Sequence, residues 1–302
     1  MSKFKVVLRK LHFIHNNIKQ FLLMRIQEPD FETTYFAGGL GSQLLSYIEY
    51  ENKRRVFPNQ DLVDVSYFTS DEVIDDGSGY VQRIWRLDHY GISIEKMRGM
   101  KRGFKEKGMK KRKPSDEEHA NYCVANKLLE VNSEILAKIP IRSSLTLRNQ
   151  LFFPSQDISS YGVIHVRKGD FLQVASRVIT INDIVRTLER IKDILPNVVL
   201  VFSDGQLSKL EREQVRDAVG DDKYQGFRFF DSSSPSCDEV VIHDLMRCAA
   251  FLVTSNSTFS YTAGLLNVTE NSKVIFPVYF YNEPSRNLNR IFTARATFAL
   301  LD

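Results

Sequence analysis

Cysteine is scarce in this chain. The three present among 302 residues, Cys123, Cys237 and Cys248, are too few and too scattered for a disulfide framework or a zinc site. Long apolar runs are missing as well: no stretch approaches the roughly 20 consecutive apolar residues that a membrane-spanning helix needs. The apolar residues near the N-terminus are broken up by Lys, Arg, His and Asn, unlike a secretory leader. No internal repeat is visible. No Asp-x-Asp follows an apolar strand, and Asp75-Asp76 and Asp221-Asp222 read as solvated turns, so no metal cofactor is expected. These absences predict a soluble protein of a reducing, cytoplasmic compartment.

The residues that are there can build a core. Hydrophobic residues make up 43% of the chain, aromatic residues 11% and charged residues 26%, which excludes disorder and collagen-like repetition. The length suits one large domain or two of ordinary size. Charge is unevenly spread. Residues 1–27 carry six Lys/Arg and no acid, and residues 96–113 carry ten Lys/Arg against Glu106 alone. Subtracting these from the total of +4 leaves the rest of the chain at −11, an acidic body with two basic attachments. Phe4, Val7, Leu8, Leu11, Ile14, Ile18, Phe21 and Leu22 fall on one helical face, so residues 1–30 read as a basic amphipathic helix. Such a helix either lies peripherally on an anionic membrane or packs against its own domain or a partner subunit. Residues 96–113 are either a solvated face or an anion-binding loop. They offer Phe104 as their one aromatic platform, so nucleic acid is not expected as a partner.

Pattern then locates the elements. Tyr35 to Gln43 followed by Leu44, Leu45, Tyr47, Ile48 and Tyr50 reads as strand, glycine turn and helix, a form in which backbone N–H groups can approach a phosphate. Its glycine spacing fits neither a Walker loop nor the dinucleotide fingerprint. Arg83–Leu87 reads as strand or helix, 99–116 as a mobile loop, and 117–139 as helical. From residue 160 strands alternate with helices: strands over 161–167, 198–202, 227–230, 251–254 and 274–277, helices over 180–195, 206–219 and 240–248, and a small-residue helix after Ser260. That alternation predicts an α/β fold with a parallel sheet. The polar clusters 165–170, 203–205 and 255–260 fall at the carboxyl ends of its strands, where such sheets bind ligands.

Three of these clusters carry a resemblance. Gly38-Gly39-Leu40-Gly41-Ser42-Gln43, His165-Val166-Arg167-Lys168-Gly169-Asp170-Phe171 and Ser255-Asn256-Ser257-Thr258-Phe259-Ser260 resemble, in order, motifs of the family 11 glycosyltransferases, best known as α-1,2-fucosyltransferases. The middle motif, His-x-Arg-x-Gly-Asp, is shared loosely with α-1,6- and protein O-fucosyltransferases. The resemblance implies a GT-B-like fold of two Rossmann-like domains with a nucleotide-binding cleft between them. The divisions are a helix over 1–30, an acceptor-side domain over 31–155 with the basic loop 96–113, and a GDP-sugar-binding domain over 156–302. It implies metal-independent, inverting transfer of fucose from GDP-fucose to a glycan or glycolipid acceptor. The chain departs from the family at Ser42, usually Asn, and at Tyr261 and Thr262, usually tryptophans. These changes bear on the acceptor more than on the donor.

Residue roles follow from the resemblance and the chemistry together. Arg167 is expected to bind the diphosphate, since a preorganised guanidinium matches phosphate oxygens and stabilises the charge that grows on the leaving nucleotide. His165, on the same side of its strand by the period of two, is expected to contact the nucleotide. Asp204 either reads the guanine edge or caps the following helix. Ser257, Thr258 and Phe259 are expected to offer N–H groups and hydroxyls to the phosphates at a helix start. Gly38, Gly39, Gly41 and Gln43 would bring the opposite domain's backbone to the donor. Asp170 is either the general base or the residue that orders the Arg167 loop. Lys168, pointing the other way, is expected to be structural. Two other readings stay open: the same fold with another nucleotide sugar, or a non-catalytic glycan- or lipid-binding relative.

Overall fold

The computed structural model describes residues 34–36, 38–56, 63–65, 68, 84–99, 131–141, 160–168, 180–231, 234, 238–277, 279–280, 283–284 and 296–301. The expected basic helix, the basic loop beyond Gly99 and Asp170 lie outside these residues.

Two short strands, β1 (Thr34–Tyr35) and β2 (Val63–Asp64), pair in parallel around helix α1 (Leu40–Val56). A 3-10 turn at Leu87–Tyr90 and helices α2 (Ile94–Gly99) and α3 (Ser133–Lys138) follow. The larger part is an alternating series: β3 (Gly162–Val166), α4 (Ile181–Ile191), β4 (Val199–Ser203), α5 (Lys209–Val219), α6 (Asp221–Tyr224), β5 (Phe227–Phe230), α7 (Glu239–Arg247), β6 (Phe251–Val253), α8 (Thr258–Leu265) and β7 (Ser272–Pro277). An antiparallel pair, β8 (Tyr279–Phe280) and β9 (Glu283–Pro284), and a last strand, β10 (Ala296–Leu301), complete the described chain.

The main sheet has six strands in the order β10-β7-β6-β3-β4-β5, and every pairing in it is parallel. This is the doubly wound order. The chain moves outward from β3 through β4 to β5, returns to the other side of β3 at β6, and moves outward again. Strand alternation divides the buried residues between the two faces. Ile164, Val166, Val199, Val201, Phe251, Val253 and Ile275 pack with Ile184 and Leu188 of α4 and Val215 of α5. Val163, Leu200, Phe202, Leu252, Val274 and Phe276 pack with α1, α7 and α8 on the opposite face. A parallel sheet buried on both sides accounts for strands that are apolar at successive positions.

Local chemistry sets the helix starts. Thr180 with Asp183 and Ser208 with Glu211 form reciprocal capping boxes, so α5 begins at Lys209 rather than at the 206 expected from pattern. Asn132, with extended backbone, caps Ile135, so no single helix runs through 117–139; a new one begins at Ser133. Residues 84–86 are neither strand nor helix, and Gly99 closes α2 instead of opening a loop. No helix among the described residues is long and apolar enough to cross a membrane.

The described residues of 31–155 share a buried cluster with one face of the main sheet. Phe36, Leu44, Ile48, Leu87, Met97 and Ile135 join the same buried cluster as Val163, Tyr261 and Phe276. Their contribution to a second parallel sheet is the β1–α1–β2 unit. Helix α1 is buried almost all round, polar positions included: Gln43 and Ser46 are fully buried and Glu49, Glu51 and Asn52 nearly so. Glu49 pairs with Lys53 on the same helix, and Glu51 with Lys138 of α3 at 2.8 Å.

One buried cation fastens the parts together. Arg247, at the end of α7 and inaccessible to solvent, donates from Nε to the Leu266 carbonyl at 3.2 Å, from one terminal nitrogen to Asp244 Oδ1 at 3.2 Å and from the other to the Ile139 carbonyl. Its guanidinium lies over the Tyr90 ring at 5.9 Å. Removing one partner of a buried pair strands the other charge, so Arg247→Ala should cost about 3–5 kcal/mol in urea unfolding. Arg247→Met with Asp244→Leu should recover part of that loss. A single-variant loss below about 1 kcal/mol would contradict the hub assignment.

Candidate functional site at the strand switch point

The site begins where the chain changes direction. Helix α4, which follows β3, packs on one face of the sheet and α8, which follows β6, on the other, so the carboxyl ends of β3 and β6 form the switch point at which such sheets bind ligands. His165 stands on β3, next to last, on the α7–α8 side. Its Nδ1 is 2.7 Å from Ser255 Oγ, just beyond β6, so one hydrogen bond joins the two strand ends. Ser260, in the first turn of α8, accepts the Ser255 N–H at 3.1 Å and lies 3.3 Å from the Ser255 hydroxyl. Thr254 is held at its start by a bond from Oγ1 to the Ile275 carbonyl.

The imidazole of His165 is pushed down to about 3, first by burial and then by the neighbouring Arg167 cation, against the weaker pull of Asp204. It is therefore neutral at neutral pH and a poor proton acceptor there. His243 of α7, also buried, is held well below its ordinary value by burial, Arg247 and His165. Its Nε2 sits 3.1 Å from Thr262 Oγ1. The Thr262 hydroxyl in turn donates to the Thr258 carbonyl at 2.8 Å, which makes His243 Nε2 the donor. The ring of Phe259 packs between the two histidines, 5.8 Å from His165 and 5.2 Å from His243.

Arg167, one residue past β3, pairs with Asp204 at 2.8 Å, both side chains about three-quarters buried or more. The other Asp204 oxygen accepts the Lys168 N–H at 2.6 Å. Both carboxylate oxygens are thus turned to the loop after β3. The sequence reading gave Asp204 to the guanine base or to a helix cap; Ser208 supplies the cap, and the carboxylate grips the loop that carries Arg167. Lys168 is structural, as expected: its Nζ donates to the Gln206 carbonyl and to Glu211, stitching the loops after β3 and β4. Part of this geometry carries into Glu211, whose carboxyl is held below its usual range despite partial burial, by Lys168 and by the Ser208 N–H and hydroxyl.

The glycine turn arrives from the opposite side. Gly38 has φ 72°, a left-handed conformation that L side chains resist. Gly41 serves a different purpose: a Cβ there would lie 2.4 Å from Phe259 N and from the Thr258 carbonyl carbon, so the start of α1 touches the start of α8 backbone to backbone. Ser42 Oγ lies 3.2 Å from Thr258 Oγ1 across the same contact. A Cβ on Gly39 would meet nothing within 4 Å, so Gly39 borders open space. Gln43 is fully buried. It donates from Nε2 to the Gly38 and Ile84 carbonyls and accepts the Arg86 N–H on Oε1 at 2.8 Å. Its amide protons are committed, so Gln43 acts on the site through the turn it holds and not by direct contact. Ser257 caps α8 through the Phe259 N–H.

The structure thus brings His165, Arg167, Asp204, Ser257, Thr258, Phe259, Gly39 and Gly41 to one end of the sheet, and Asp170 lies outside the described residues. Sequence reasoning missed Ser255 as the partner of His165. It also missed Arg247 and His243, whose four-residue spacing on α7 was a usable sign of one buried face.

Two predictions follow from the contacts. Gly41→Ala should destabilise by about 1–3 kcal/mol, because two backbones must separate, whereas Gly39→Ala should be close to neutral in thermal unfolding. Equal effects would contradict the backbone contact. The two buried neutral histidines bind protons in the unfolded chain below about pH 6.5 but not in the fold. Stability should therefore be flat above that pH and fall toward pH 5 with a slope of about two protons, and His243→Gln should remove about one. A flat urea midpoint between pH 6.5 and 5 would overturn this reading.

The family model for glycosyl transferase family 11 matches residues 116–293, more than half of the chain. That span contains the His165 and Arg167 strand end, Asp204 and the Ser255–Ser260 cluster, while the glycine turn lies before it. No curated protein and no solved structure matches the chain. An open parallel sheet whose switch point gathers a neutral histidine, an anchored arginine and a helix start fits what a nucleotide-sugar enzyme requires. On that match, with this geometry beneath it, the chain belongs to glycosyl transferase family 11.

Proposed function

We propose that this glycosyltransferase moves L-fucose from GDP-fucose to a hydroxyl of a glycan acceptor with inversion, most simply forming an α-1,2 linkage, in the synthesis of a surface polysaccharide or glycolipid. The observation that carries the donor site is the meeting of two helix N-termini, α1 at Leu40 and α8 at Thr258, beside Arg167 at the switch point. Helix N-termini and a guanidinium together favour a dianionic group. In the reaction the acceptor oxygen attacks the anomeric carbon and the bond from that carbon to the β-phosphate oxygen breaks. GDP leaves with the electron pair, and the acceptor proton passes to a base. Arg167 and the α8 start receive the charge growing on the diphosphate, so the barrier falls without a metal. Gly39, beside open space, leaves room for the donor, and Ser257 and Thr258 supply N–H groups.

Asp204 serves by holding the Arg167 loop. Asp170 follows Arg167 closely in sequence and is the candidate base. The basic segments 1–27 and 96–113 suit an anionic membrane surface, which would bring the enzyme, cytoplasmic and peripheral, to lipid-linked acceptors. A second reading, another nucleotide sugar on the same fold, is supported by the engagement of both Asp204 oxygens with the loop after β3.

Calorimetry with GDP, UDP and pyrophosphate in the presence of a chelator tests the donor. GDP should bind at micromolar strength and UDP much more weakly. Arg167→Ala should weaken GDP at least tenfold and lower turnover about 10²–10³-fold. Asp204→Ala should weaken GDP and pyrophosphate alike; a loss confined to GDP would return Asp204 to the guanine base. Equal GDP and UDP affinity would sink the GDP-fucose assignment, and no nucleotide binding would leave glycan or lipid binding as the better account.

A further inference from the structure

The ring of His165 is neutral in the fold and so carries one proton. Which nitrogen holds it decides what the switch point offers a ligand. Nδ1 lies 2.7 Å from Ser255 Oγ. That separation is ordinary for a hydroxyl that donates and short for a ring N–H that donates to a hydroxyl. Ser255 is itself held from behind. Ser260 Oγ accepts the Ser255 N–H at 3.1 Å and then has its own proton to place. The Ser255 hydroxyl, at 3.3 Å, lies nearer to it than the Ser255 carbonyl at 3.5 Å. Ser260 can place its proton on either oxygen of Ser255, while at 2.7 Å the Ser255 hydroxyl donates to Nδ1. Nε2 is left with the ring proton and has no protein acceptor among the described residues.

We infer that Ser255 is a positioning residue that fixes His165 in the Nε2–H form, so that the switch point presents a neutral N–H donor to an acceptor oxygen of the bound nucleotide diphosphate. The identity of that ligand rests on the donor-site reading above; the proton's place on the ring does not. The reversed ring would point a lone pair at an anion and repel it. An imidazolium would be repelled by Arg167 and would have to be buried. A fixed neutral donor avoids both, and because the serine pair orients it in advance, no reorganisation is needed when the diphosphate arrives. The three groups come from three elements: His165 from β3, Ser255 from the end of β6 and Ser260 from α8. The arrangement therefore forms only when the switch point itself is built.

The test is long-range ¹H–¹⁵N correlation on the full-length protein labelled at histidine, at pH 7, with the His165 signals identified by their loss in His165→Asn. Nδ1 should be a bare acceptor nitrogen and Nε2 a protonated one. In Ser255→Ala the proton should distribute between both nitrogens and GDP affinity should fall about tenfold, the scale of one lost hydrogen bond. Ser255→Thr keeps the hydroxyl and should keep both the tautomer and the affinity. Ser260→Ala should shift the ring in the same direction by less. A protonated Nδ1 in the parent protein, or an unchanged tautomer in a folded Ser255→Ala protein, overturns the assignment. Should Ser255→Ala fail to fold, the parent spectrum and the threonine variant still decide it. A protein with the Nε2–H ring that binds no GDP would refute the donor reading and leave the tautomer standing.

Discussion

Two backbones touch with no side chain between them where Gly41 meets Thr258 and Phe259, and the rest of the site is arranged around that contact. It places the start of α1 on the start of α8, which sets the Ser42–Thr258 bond and turns the Phe259 ring between His165 and His243. The buried amide of Gln43 keeps the turn in register by holding Gly38 from one side and the 84–86 segment from the other. Arg247 in turn ties the end of α3 to the end of α8 through the Ile139 and Leu266 carbonyls.

Charge at the switch point is managed by contrast. Arg167 is a permanent cation braced by a carboxylate, and His165 beside it is kept neutral by burial and by that cation. An anionic ligand would meet one full positive charge, two helix ends and an uncharged N–H group. This division of labour needs little movement, since each polar group already has a partner that fixes its direction.

Much of this could be read before any coordinates. Phe227–Phe230 is a strand over the residues its apolar run marks, and Thr180 caps its helix as its side chain and position suggest. The polar clusters do lie at the strand ends, because a buried parallel strand can expose polar groups only where it leaves the sheet. The strand order was out of reach, since period and composition say that strands exist and not which neighbour each takes. For the same reason the residues joined across the strand ends, His165 with Ser255 and Arg167 with Asp204, could not be paired in advance. The glycine turn was recognised, but Gly41 was assigned to a ligand when the group pressing on it is the protein's own backbone. Asn132 was missed as a cap because apolar spacing continues through it; a short polar side chain outweighed periodicity there.

Helix α1 is buried on nearly all sides, yet its main seat, α8, lies 216 residues further along the chain, as measured from Ser42 to Thr258. On a ribosome adding about 5–20 residues per second, α1 emerges roughly 10–40 s before that seat exists. During the interval β1, β2 and the Leu87–Ile139 part of its cluster are already made, and only the flank that α8 covers waits for its partner. The site at the switch point is therefore among the last parts of the molecule to come together.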